Sequence, residues 1–85
     1  MILPLKTRML EYALEKDGTF TIENLMEDLG NEYGDRRDFR LKRIEEYLMA
    51  YCGVGILEFK ETEDGNVGFF VTDYGKENEK YIPGH

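Results

Sequence analysis

Five cations crowd one short stretch of the chain. Arg36, Arg37, Arg40, Lys42 and Arg43 lie within eight residues against only Asp38, a local net charge of +4. Arginine presents a planar fork of donors that matches the oxygens of a phosphate or carboxylate two at a time, whereas lysine acts as a point charge. The whole chain carries −7, so everything outside this stretch carries −11. Such a surface repels phosphate backbones at long range except where its positive groups are gathered in one place. On a helix beginning at Asp35 as N-cap and running to about Tyr51, Arg36, Arg40, Arg43 and Tyr47 fall on one face. Leu41, Ile44, Leu48 and Tyr51 fall on the neighbouring face, a core stripe. The competing use of the arginines is to pair with the acidic surface of the preceding helix, an arrangement worth little energetically.

Other chemistry is sparse. The acidic side chains of Glu23, Glu27 and Asp28 have spacings that can bind a metal or act as acid and base, but no histidine joins them, and a solvated helix face is the expected reading. The single histidine is His85, so no Ser-His or Cys-His nucleophile is assembled from the interior of the chain. Cys52 is the lone cysteine, which excludes an internal disulfide or thiolate cluster and fits a reducing compartment. Gly53 and Gly55 lack the strand-before-helix setting of a phosphate loop. Phe59, Phe69 and Phe70 resemble a base-stacking platform, although aromatics in a small domain more often fill the core. These absences predict a non-enzyme without cofactor or metal.

The elements that position the basic stretch follow from periodicity. Leu5, Met9, Leu10, Ala13 and Leu14 share a face of a first helix from about Pro4 to Lys16, with Pro4 in the first turn and Gly18 at the exit. Gly18, Thr19 and Phe20 make an extended connector. Thr21 then caps a second helix whose Ile22, Leu25, Met26 and Leu29 recur at helical spacing until Gly30 ends it. After the basic helix, Ile56–Thr62 and Val67–Thr72 flank Glu63, Asp64, Gly65 and Asn66, which is a hairpin signal because Asp-Gly accepts positive φ. From Thr72, another cap candidate, the tail reads either as a short helix or as an irregular strap that covers the core with Tyr74, Tyr81 and Ile82. Leu10, Leu14, Leu25, Leu29, Ile44 and Leu48 are the predicted core.

With 85 residues and 41% hydrophobic content, the chain has material for one core, so a single domain over 1–85 is expected, with 73–85 as a short C-terminal extension. No stretch approaches the ~20 apolar residues of a membrane span. Lys6 and Arg8 interrupt what would be a signal peptide's apolar region, so a cytoplasmic protein is expected.

The order helix, extended segment, helix, helix, hairpin resembles the winged helix-turn-helix domain of bacterial transcriptional regulators over roughly Leu5 to Lys76. Phe20, Thr21, Ile22, Glu23, Asn24 and Leu25 resemble that family's entry into its second helix. Leu48 followed by Gly55, Ile56, Leu57 and Glu58 resembles its passage from recognition helix to wing, and Thr72, Asp73, Tyr74, Gly75 and Lys76 are similar to the segment that closes the wing. The resemblance implies an α+β fold of three helices with a C-terminal two-stranded β-hairpin wing. It implies a regulator that binds double-stranded DNA sequence-specifically, with Arg36, Arg37, Arg40, Lys42, Arg43 and Tyr47 toward the duplex. Two features depart from the family: an acidic wing tip, and a Gly30–Asp35 connection longer than the usual turn. A protein-interaction module of the same fold is the alternative, and either reading allows a homodimer or a protein partner.

Overall fold

The computed structural model describes residues 3–77. Its elements are α1 (Leu5–Lys16), β1 (Phe20–Thr21), α2 (Ile22–Tyr33), α3 (Leu41–Gly53), β2 (Leu57–Glu61), β3 (Val67–Val71) and α4 (Asp73–Glu77). The fold is α+β, with one antiparallel three-stranded sheet in the order β1–β3–β2. No helix among the described residues is long and apolar enough to cross a membrane.

Local chemistry explains most boundaries. Thr21 Oγ1 accepts from the Asn24 amide and Asn24 Oδ1 accepts from the Thr21 amide, each at 3.1 Å, a reciprocal cap that starts α2. Between β2 and β3 the Gly65 amide donates to the Thr62 carbonyl, and Gly65 takes φ +83°. The result is a tight turn plus a left-handed residue, which needs glycine at that point. Strand register then places Phe59 opposite Phe69 and Leu57 opposite Val71.

The core is built from α1 (Leu5, Met9, Tyr12, Ala13), α2 (Leu25, Leu29, Tyr33), α3 (Ile44, Leu48) and the sheet (Phe20, Leu57, Phe69). Tyr12 meets Phe20 edge-on at 5.4 Å, a geometry that aligns ring edge with ring face. Of the predicted core, Leu10, Leu25, Leu29, Ile44 and Leu48 are buried, while Leu14 is only half-buried.

Five expectations are corrected. Phe20–Thr21 is more than a connector: it pairs with β3, Phe20 opposite Phe69, so the sheet has three strands rather than two. Gly68 permits this approach, since a Cβ there would strike the Thr19 methyl group. The left-handed exit from α1 is at Asp17 (φ 46°), one residue before Gly18. Gly30 does not end α2; the helix runs another turn because Tyr33 is buried and its hydroxyl donates to the Leu3 carbonyl at 2.6 Å. Asp35 does not cap α3, which starts at Leu41 behind Arg40 as N-cap. The intervening segment folds through turns closed by Arg36 N–H to Tyr33 O and Phe39 N–H to Arg36 O, and these bring the Phe39 ring against the core. As the first residue of α3, Leu41 overhangs the core and is 59% exposed instead of buried.

The tail forms α4, whose Gly75 amide donates to Thr72 Oγ1 at 3.0 Å, so Thr72 acts as its cap. Tyr74 is largely exposed and does not cover the core; Tyr81 and Ile82 lie outside the described residues.

Candidate nucleic-acid interface

The later start of α3 rearranges the basic stretch. Arg36 and Arg37 lie in the turns before the helix, Arg40 is its N-cap, and only Lys42 and Arg43 belong to its first turn. The helical face shared by Arg36, Arg40, Arg43 and Tyr47 therefore does not form. What forms is a basic end: a loop and a helix N-terminus.

The partners divide these cations. Arg36 Nε is 3.4 Å from Asp38 Oδ1, and its guanidinium lies 5.5 Å from the Tyr33 ring centre. Arg43 reaches Glu46 at 3.1 Å, one turn along α3. Arg40 Nε donates to the Arg37 carbonyl at 2.7 Å, which holds the side chain without neutralising it. Among the described residues, the side chains of Arg37, Arg40 and Lys42 have no carboxylate partner. Tyr47 is half-buried and donates weakly to Asp38 Oδ2 at 3.5 Å, so it braces the loop more than it presents a surface.

Pairing with α2 does not account for these charges. The Glu32 carboxylate of α2 lies 3.8 Å from Arg8 of α1. Asp28 accepts from the Tyr12 hydroxyl at 2.6 Å and lies 3.8 Å from Lys16, again on α1. Burial and the Asp28 carboxylate push the Tyr12 phenol well above its ordinary value, so it stays a donor.

Arg40, Lys42, Arg43 and Glu46 line a shallow depression of about 270 Å³ at the start of α3. No side chain caps this N-terminus and its first turn has no acidic residue. Its exposed N–H groups and positive dipole end therefore add to the three cations. Phosphate oxygens satisfy such donors directly.

The rest of α3 and the hairpin differ in kind. Leu41, Met49, Phe59 and Val67 are between 46 and 59% exposed. A groove of about 380 Å³ runs between Cys52 of α3 and Leu57, Glu58 and Phe59 of β2. Another brings Glu45 of α3 beside Ile22, Asn66 and Val67. Burial, with the nearby Glu58 carboxylate, raises the Cys52 thiol above its ordinary value and keeps it protonated. At the hairpin tip, hydrogen bonds from Thr62 and Asn66 hold the Asp64 carboxyl below its usual range. Of the three phenylalanines, Phe69 is core, Phe70 is half-buried beneath Lys60, and only Phe59 offers an open ring. Among the described residues, no group of three or more His, Cys, Asp or Glu side chains is placed to hold a metal. The sequence pattern missed this apolar strip; the signal available was Met49 and Phe59 lying outside every core stripe.

No family model matches the chain, and no curated protein or solved structure matches it.

Proposed function

We propose that this chain is a winged-helix module that binds double-stranded DNA sequence-specifically through the N-terminal end of α3 and the loop before it. The element order and the β1–β3–β2 sheet suit such a module. The observation that carries the reading is the set of three cations without carboxylate partners, Arg37, Arg40 and Lys42, grouped around an uncapped helix N-terminus. Helix-turn-helix proteins read base edges from that end of the recognition helix, and the long Arg40, Lys42 and Arg43 side chains reach phosphates or guanine O6 and N7. Glu45 and Glu46 follow one turn later, so DNA docks at the helix end rather than along its length. The hairpin, with Glu58, Glu61, Glu63 and Asp64 against Lys60, stands off the backbone.

The test is selection from a randomised duplex pool followed by titration at several salt concentrations. Arg40→Ala with Lys42→Ala should weaken binding and lower the log–log salt slope by about one unit for each phosphate no longer neutralised. Failure of the folded protein to enrich any sequence overturns the reading. The exposed Leu41, Met49, Phe59 and Val67 then favour the protein-interaction module.

A further inference from the structure

We propose that the open edge of β2 pairs with β2 of a second copy of this chain, so that two three-stranded sheets join across a twofold axis at Phe59. None of the residues proposed to meet DNA takes part, so the two readings fail separately.

The sheet order β1–β3–β2 leaves β2 with one neighbour. The phase of its ladder follows from the bonds that flank it: Thr62 N–H donates to the Asn66 carbonyl at 2.8 Å, and Thr72 N–H to the Ile56 carbonyl at 2.9 Å. Backbone groups alternate in direction along an antiparallel strand. Glu58 and Lys60 therefore turn theirs to β3, while Leu57, Phe59 and Glu61 turn theirs outward, where they meet no partner among the described residues. Glu58, Phe59, Lys60 and Glu61 are all exposed, and the Phe59 side chain is 57% open to solvent. The opposite edge offers no such template, since β1 is two residues long and runs directly into α2.

Charge identifies both the occupant and the register. Glu58 and Lys60 lie on one face of β2, two residues apart. Neither has an ion-pair partner among the described residues; Lys60 instead lies over the Phe70 ring, 5.6 Å from its centre. Charged residues on an edge ordinarily discourage pairing. Two antiparallel copies of β2 centred on Phe59 remove that obstacle. Glu58 then stands directly opposite the partner's Lys60, and Lys60 opposite the partner's Glu58, in the positions where facing side chains come closest. The outward N–H and carbonyl of Phe59 meet those of the partner's Phe59, and Leu57 exchanges bonds with the partner's Glu61. Other registers fail. An axis at Glu58, Lys60 or Glu61 sets a charge against its own copy, and one at Leu57 leaves almost no ladder. An isologous interface requires this self-complementarity, and a strand of other sequence does not supply it.

Sedimentation equilibrium of the intact chain without DNA, over micromolar to millimolar concentration, tests the proposal. A dimer is expected, and a monomer throughout overturns it. Phe59→Pro removes the central outward N–H and spares the bonds to β3, because proline is tolerated on the solvent side of an edge strand. With its fold checked by circular dichroism, this variant should be monomeric; a folded dimer overturns the proposal. The charge variants alter only exposed side chains and carry the test if proline unfolds the chain. Glu58→Lys and Lys60→Glu should each be monomeric alone, while an equimolar mixture should restore a dimer containing one of each, since every Glu then faces a Lys. Both substitutions in one chain should dimerise as the original does. Single variants that dimerise as well as the original, or that stay apart when mixed, overturn the proposal. Amide exchange reads the edge itself: the Phe59 and Glu61 amides should exchange quickly in dilute and slowly in concentrated solution, while those of Glu58 and Lys60 are protected in both. Equal Phe59 and Glu61 rates in monomer and dimer place the interface elsewhere and overturn it as well.

Discussion

The basic end of α3 and the apolar strip beside it are built from one helix, yet their chemistry differs because different forces position them. The basic end is held by the turns of the preceding segment, by Phe39 against the core and by Asp38 bridging Arg36 and Tyr47. The strip is rigid because Ile44 and Leu48 anchor the helix from beneath and the strand register fixes the hairpin. A loop presents charge that adapts to a phosphate backbone, whereas a helix packed beside a sheet presents a fixed shape. Binding function is often divided in this way, with contacts on loops and a rigid scaffold behind them.

The largest effect expected is on stability: Leu48→Ala removes the support common to both regions and should cost about 2–5 kcal/mol in denaturant unfolding. Leu41→Ala, on the same helix but overhanging the core, should cost under about 0.5 kcal/mol.

A smaller effect concerns alkaline pH. The Tyr51 hydroxyl donates to the Lys6 carbonyl at 2.7 Å, and burial pushes its pKa up to about 12 from an ordinary 10.0. The unfolded chain therefore loses this proton first. Stability should be fully present below pH 10 and fall as pH rises from there through about 12. Tyr51→Phe should flatten part of that decline in unfolding midpoints, with Tyr12 and Tyr33 shifted in the same direction. A local effect is loss of the α2 cap: Thr21→Ala should cost roughly 0.5–2 kcal/mol by thermal or denaturant unfolding, without altering DNA binding.

What was legible in the sequence was local. Thr21 before an amphipathic run, Thr72 ahead of the tail helix, and Asp64-Gly65 between apolar runs each act through neighbours a few residues away, and each sits where its chemistry indicates. The misread boundaries were decided at a distance. Gly30 is tolerated inside α2 because Tyr33 beyond it is buried, and Asp35 is passed over as a cap because Phe39 must reach the core. Neither burial leaves a trace in local periodicity. Phe20–Thr21 is a strand through its pairing with β3, and two residues carry no alternation to recognise. For the site, residue types were legible and their arrangement was not, since a helical wheel drawn from the wrong first residue assembles a face that does not exist.

Two tyrosine hydroxyls carry a further consequence, for the order in which the chain closes. Tyr33 donates to the carbonyl of Leu3 and Tyr51 to that of Lys6, across 30 and 45 residues. The start of α1 is thus latched by elements that come after it. Such separations slow closure, because the entropy of a large loop is lost before its contacts form. During synthesis α1 can coil early, but its first turn gains its final hydrogen bonds only once α3 exists. In pulse-labelled hydrogen exchange of the refolding chain, the Arg8 amide, which bonds the Pro4 carbonyl in that turn, should therefore become protected no earlier than the amides of α3.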